Sequence, residues 1–183
     1  MDRRTLLRSI AIITGATVVG GEWLISGCKN PQAKTGLFSS QDVLLMDEIA
    51  DTILPDTDIP GAKAAGVGPF MALMVEDCYN EKQQNAFSQG LTTLEEQCRK
   101  STGKTFMAGD PAEREKFLVS LDQEAKAAQA DGGFHYFTMI KQLVLFGYFT
   151  SEIGATQGLR YVQVPGRYDG CIPYTKGEKA WAL

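Results

Sequence analysis

Asp47-Glu-Ile-Ala-Asp-Thr-Ile-Leu-Pro-Asp-Thr-Asp-Ile-Pro-Gly-Ala-Lys-Ala-Ala-Gly-Val67 combines an acidic helix end, a turn punctuated by two prolines, and a second helix start. Proline cannot continue the helical hydrogen-bond ladder, and the residue before it avoids the helical region. Pro55 therefore ends a first helix, and Asp56-Thr-Asp-Ile-Pro-Gly61 makes an ordered corner in which Asp side chains accept from nearby backbone N–H groups. Upstream, Ser39-Ser-Gln-Asp42 offers hydroxyl caps, and Leu45, Ile49 and Ile53 recur at i, i+4, i+8, which predicts a helix over about 40–54. The carboxylates Asp47, Glu48, Asp51, Asp56 and Asp58 invite a calcium ion. A calcium-binding loop, however, needs oxygen ligands at alternate positions, a central Gly and a closing Glu, and Ile59-Pro60 sits where ligands should continue. Solvation of the helix by Asp47, Glu48 and Asp51 and turn capping by Asp56 and Asp58 are the expected roles.

Downstream the periodicity stays helical. Gly66-Val-Gly-Pro69 places a proline in a first turn, and Phe70, Met74 and Cys78 then form one apolar stripe. After a break at Tyr79-Asn80, Phe87, Leu91, Leu94 and Cys98 line a third helix that ends at Ser101-Thr-Gly-Lys-Thr105. That last run lacks the upstream glycine and the strand of a phosphate loop. Asp110-Pro-Ala-Glu113 is a helix start with an Asp cap, and Phe117, Leu121, Ala125 and Ala128 are the predicted buried side of the fourth helix. Asp131-Gly-Gly133 precedes Phe134–Phe149, apolar almost all round, which belongs at the centre of a bundle. The expected fold is all-α: one bundle of about five helices, spanning residues 39–183 with its appendage.

From Ser151 the character changes. Glycines at 154, 158, 166, 170 and 177, with Pro165 and Pro173, exclude a long helix over the last thirty-odd residues. The segment 158–183 is an irregular Gly/Pro-rich arm in which Tyr161-Val-Gln-Val164 has the composition of a short strand. Arg160, Tyr161, Arg167, Tyr168, Tyr174 and Trp181 are residue types that anchor interfaces, so this arm is the candidate partner interface. A tail folded back on its own bundle is the competing reading.

The formal net charge is -4, and without residues 1–27 it is 15 basic against 20 acidic groups, or -5, which disfavours binding to a phosphate backbone. The leader, residues 1–28, has a basic start, Asp2-Arg-Arg-Thr-Leu-Leu-Arg8, then an uncharged run to Gly21 that is too short to span a membrane. Arg3 and Arg4 followed by a spacer and two leucines read as a twin-arginine export signal, with an ordinary secretory signal as the alternative. Leu24-Ile-Ser-Gly-Cys28 has the form of a lipobox, so Cys28 is the expected lipidation site, and residues 29–38 make a flexible tether. The protein is expected to be exported, periplasmic and held at the membrane by that N-terminal lipid.

Three cysteines remain. In a hairpin turning near residue 80, Cys98 lies roughly 25 Å along the third helix from Cys78, beyond disulfide reach, so Cys171 with Cys78 or Cys98 is the expected bridge. Cys78 and Cys98 also fall on apolar stripes where free thiols pack as small hydrophobes, so all three reduced is the alternative.

The corner stretch, with Asp77-Cys-Tyr79, Phe87-x-x-Gly-Leu91, Phe146-Gly-Tyr-Phe-Thr-Ser-Glu-Ile-Gly154 and Arg167-Tyr-Asp-Gly-Cys171, resembles the gluconate 2-dehydrogenase subunit 3 family from about Gln41 to the C-terminus. The resemblance implies a small exported subunit of a membrane-bound sugar or sugar-acid dehydrogenase. Its partners would be an FAD-dependent large subunit of the glucose-methanol-choline type and a cytochrome c subunit carrying haem c. It implies a role in that enzyme's maturation, export or stability. The residues agree: the chain has no G-x-G-x-x-G loop, no Cys-x-x-Cys-His haem motif, no metal-spaced ligand set and no nucleophile triad. No catalytic, cofactor-binding or metal-binding residue is therefore assigned, and His135, the lone histidine, reads as a partly buried polar side chain. The competing function is a stand-alone envelope lipoprotein that binds a small ligand or carbohydrate, for which His135, Tyr136, Lys141 and Gln142 are the polar candidates.

Overall fold

Four of the five helix starts among the described residues are written locally, in a side-chain cap within three residues of the first turn. In the computed structural model, which describes residues 36–164, 166–168 and 170–182, helix α1 runs Ser40–Ile53. Its Ser39 cap is reciprocal: the Asp42 N–H donates to Ser39 Oγ and the Ser39 N–H to Asp42 Oδ2 at 2.8 Å. Helix α2 is Val67–Cys78, and α3, Glu81–Thr102, starts on an Asn80–Gln83 box and stops at Gly103, whose φ of 75° is left-handed. A single 3-10 turn, Phe106–Ala108, precedes α4, Pro111–Ala130, where the Asp110 N–H donates to Glu113 Oε2 at 3.1 Å. Helix α5 is Tyr136–Thr150, and a π turn, Gly154–Gly158, follows it. The described residues hold no strand, so the architecture is all-α.

Helix α5 packs against all four other helices and supplies Phe137, Ile140, Leu143, Val144 and Tyr148 to a continuous core. Met46 and Ile49 from α1, Val67, Met71 and Val75 from α2, Phe87 and Leu94 from α3, and Leu118 and Leu121 from α4 complete it. Gly147 permits the approach of α2, because a Cβ there would lie 2.6 Å from the Phe70 ring. The amide of Gln84 donates to the carbonyls of Val75, Glu76 and Tyr79, so α3 closes the C-terminal end of α2.

The corner after α1 is where prediction and structure meet most closely. The Asp56 side chain accepts from the Gly61 N–H at 2.5 Å, the Ala62 N–H donates to Leu54 O, and Tyr148 Oη donates to Pro60 O at 2.9 Å, which ties the corner to α5. Asp47 and Glu48 are not solvated helix residues. Asp47 accepts from the Gly68 N–H at 2.9 Å, capping α2 from α1, and Glu48 receives both Arg114 of α4 and Lys63 of the corner. Carboxylates on a helix flank are drawn to donors that other elements deliver, here an uncapped N-terminus and a guanidinium.

Four further expectations are corrected. The buried face of α2 is Val67, Met71 and Val75, while Phe70 and Met74 are half-buried and Cys78 is exposed. Both stripes are apolar, so periodicity alone could not choose between them. Ala128 is only partly buried, and Phe134, Phe146 and Phe149 are exposed although their neighbours fill the core. Tyr161–Val164 forms no strand; the segment has no partner strand, and the one bridge near it joins Arg160 to Trp181. Cys78, Cys98 and Cys171 are all free, so the expected bridge from Cys171 is not formed. Cys98 packs in the core as a small hydrophobe. Arg3, Arg4 and Cys28 lie outside the described residues.

Candidate partner-binding surface

The arm begins where α5 is stopped by a side chain. Ser151 Oγ donates to Tyr148 O at 2.6 Å and accepts from the Gly154 N–H at 3.0 Å, which turns the chain into the π segment. Leu159 N–H closes back on Gly154 O, and from residue 160 to 181 every described residue is exposed. The arm is nevertheless closed at its base. The Arg160 N–H donates to Ala180 O at 2.7 Å, the Ala182 N–H donates to Arg160 O at 3.0 Å, and the Arg160 guanidinium lies 4.1 Å over the Trp181 ring. Lys179 Nζ adds a bond to Gln157 O. Residues 161–179 thus form a loop whose two ends are pinned together beside the bundle.

Of the six residues expected to form the interface, Arg160 and Trp181 are brought together at the base, and Tyr161, Arg167, Tyr168 and Tyr174 are carried on the loop. Tyr168 is 94 % exposed and Tyr174 77 %, with Val164 and Ile172 also open to solvent. A folded-back tail would have put some of these side chains into the core. None of the described ones is there, so the described part of the arm carries its aromatic side chains open to solvent. A second apolar strip lies on the bundle itself, where Phe146 of α5 meets Phe70 of α2 with ring centroids 5.7 Å apart, and Leu73 and Phe149 are exposed one turn on.

The remaining polar candidates are spoken for. His135 caps α5, its Nδ1 accepting from the Phe137 N–H at 3.2 Å, and it stacks on Tyr136. Tyr136 donates to Gln97 Oε1 at 2.6 Å, and burial pushes its phenol up to about 12. Lys141 and Lys126 flank Asp122, whose carboxyl they hold below the usual range, Lys126 first. A shallow cleft of about 270 Å³ between α1, α4 and α5 is lined by Thr52, Glu115, Asp122 and Lys141 over Ile53, Leu118, Val119 and Phe137. Of the four residues weighed for ligand binding only Lys141 reaches it, and its volume is under the roughly 300 Å³ at which ligand pockets begin. In the acidic corner, Lys63 first and then Arg114 lower the Glu48 carboxyl against an opposing burial penalty, whereas burial raises that of Asp51. Among the described residues no three potential ligands converge as a metal site would require, and no helix is long and apolar enough to cross a membrane.

A family model for gluconate 2-dehydrogenase subunit 3 matches residues 40–166, which takes in all five helices, the corner and the root of the arm. The chain belongs to that family. No curated protein and no solved structure shows a significant match. The gluconate 2-dehydrogenase subunit 3 match stops at residue 166, so Arg167–Cys171, counted in the resemblance on sequence, falls beyond it. Its span also places within the family region four residues whose roles the sequence did not disclose: Asp47, Glu48, Arg114 and Tyr148. The Asp47–Gly68, Glu48–Arg114 and Tyr148–Pro60 contacts span 21, 66 and 88 positions, and no local pattern announces such pairs.

Proposed function

We propose that this protein is the non-catalytic small subunit of an exported FAD-dependent dehydrogenase of the glucose-methanol-choline type that oxidises a sugar or sugar acid. It serves that enzyme's maturation, twin-arginine export or stability. The family match over residues 40–166 carries the reading. It is supported by the engagement of Asp47, Glu48, Asp56 and the lone histidine in capping and ion pairs. FAD, and haem c where a cytochrome subunit completes the complex, belong to the partners. This chain's sequence has neither a glycine-rich dinucleotide loop nor a haem-attachment motif. Arg3-Arg4 would carry a folded, cofactor-loaded partner without its own signal through the same export route. Cys28 would then fix the complex to the periplasmic face of the membrane through its lipid.

Co-expression with the flavoprotein tests the reading. The expected result is a stable complex in the membrane fraction, with the flavoprotein stranded in the cytoplasm when this chain is removed or when Arg3 and Arg4 are both changed to Lys. Unchanged activity and location of the flavoprotein after deletion would overturn it. Truncation after Leu159 should remove partner binding while the bundle still folds, since no described residue beyond Leu159 is buried.

A further inference from the structure

Charge in this chain is divided between bundle and arm. Residues 37–157 carry nine basic against eighteen acidic groups, a net -9, whereas residues 158–183 carry Arg160, Arg167, Lys176 and Lys179 against Asp169 and Glu178, a net +2. The positive part is also the part with the open tyrosines, and it is pinned at its base by the Arg160–Ala180 and Arg160–Ala182 backbone bonds. We infer that the loop 161–179 is a preformed cationic, tyrosine-bearing plug for an acidic groove on the flavoprotein, an inference that rests on the functional reading above.

Three observations carry it. Closure at the base removes part of the ordering cost that a free tail would incur on binding. Tyr168 and Tyr174, 94 % and 77 % exposed, each offer on the order of 150–250 Å² of amphipathic surface and the half-exposed Tyr161 about half as much, so together they supply roughly half of one side of a standard interface of about 800 Å². The sign inversion then sets the partner's chemistry: an acidic face attracts the arm and repels the -9 bundle, which orients the encounter. An anionic membrane would satisfy the same charges, but the chain enters the bundle elsewhere. The Leu37 N–H donates to Glu76 Oε1 in the last turn of α2, whereas the arm's root at Gly158 lies against Ile59 in the corner that precedes α2. At 1.5 Å per residue the twelve residues of α2 separate these points by roughly 16 Å. The described chain thus enters the bundle and gives rise to the arm at separate points, and binding of the arm to vesicles is an outcome of the test.

The test uses the full chain co-expressed with the flavoprotein. Wild type, Arg167→Glu/Lys176→Glu, the charge-keeping Arg167→Lys/Lys176→Arg, and Tyr168→Ala/Tyr174→Ala are compared by association kinetics from about 50 to about 500 mM salt. The double reversal, which takes the arm from +2 to -2, should weaken binding at low salt by about tenfold or more, mainly through the association rate. That deficit should vanish at high salt, and the charge-keeping variant should bind like wild type. The tyrosine variant should dissociate faster at every salt. Unaltered melting temperatures would show that all variants fold. A wild-type complex that is indifferent both to salt and to charge reversal overturns the inference and leaves the functional reading standing. Arm-dependent binding to phosphatidylglycerol vesicles, or arm-dependent self-association in sedimentation, in place of flavoprotein binding also overturns it. No complex with any form at any salt removes the functional reading itself.

Discussion

Glu48→Ala tests whether the acidic corner is a structural joint. The Glu48 side chain is 16 % exposed and bonds to Arg114, itself 17 % exposed, and to Lys63, which is half exposed. A charge-assisted hydrogen bond that is mostly shielded is worth about 1.5–3 kcal/mol. Arg114 keeps its bonds to Phe106 O and Met107 O after the change, so its guanidinium is not orphaned and the lower half of that range applies. The Lys63 contact, screened by water, adds under about 1 kcal/mol. The expected cost is about 2–3 kcal/mol, a fall in Tm of about 4–12 °C for a domain of this size. Thermal melts of Glu48→Ala, Arg114→Ala and the double variant should give a coupling energy of at least about 1 kcal/mol. Lys63→Ala should cost less than half as much as Glu48→Ala. The pH dependence has a definite sign. The folded Glu48 carboxyl lies below its ordinary 4.5, so the stabilisation is fully present above that value and is lost as pH falls through the folded pKa. The gap between wild type and Glu48→Ala should therefore be widest near neutrality and close in acid. A Glu48→Ala protein that melts within 2 °C of wild type, or no coupling to Arg114, refutes the reasoning.

Gly61→Ala should cost about 3 kcal/mol, because a Cβ there meets only backbone, at 2.5 Å from Leu54 O and 2.6 Å from Pro55 C, whereas Gly66→Ala, in open space at φ 68°, should cost only about 1–2 kcal/mol of left-handed strain. Denaturant unfolding of the two proteins checks that order. Alkylation followed by peptide mapping should label Cys78 and Cys171 quickly and Cys98 only on unfolding, since burial both covers that thiol and raises its pKa; a bridged Cys171 peptide would contradict the free-thiol structure. In an alkaline titration of the phenolate absorbance, one tyrosine should ionise near pH 12, and Tyr136→Phe should abolish that step. Because burial keeps Tyr136 neutral, its contribution to stability is complete below its ordinary value of 10.0 and is lost as pH rises toward the folded value.

The extents of α1, α3, α4 and α5 were legible because helix boundaries are short-range chemistry. Ser39 with Asp42, Asn80 with Gln83, and Asp110 with Glu113 satisfy N–H groups within three residues, and Pro55 and Gly103 end helices by their own backbone restrictions. The stripe of α3 was equally plain, since its other face is polar. On the candidate surface, the composition of the arm was readable and its form was not. Arg160 and Trp181 are twenty-one positions apart, and nothing local says that one will stack on the other and close a loop.

The sequence by itself determined an all-α chain, its helix ends, its corner at Pro55–Gly61 and the family to which it belongs. Only the tertiary structure decided which of two apolar faces α2 buries, that Asp47 and Glu48 bind Gly68 and Arg114 rather than water, and that the arm leaves the core and closes on itself. Caps and proline breaks act within one turn of chain. Burial and charge pairing depend on what other elements bring within about 4 Å, and that distance is set by the packing of the whole bundle.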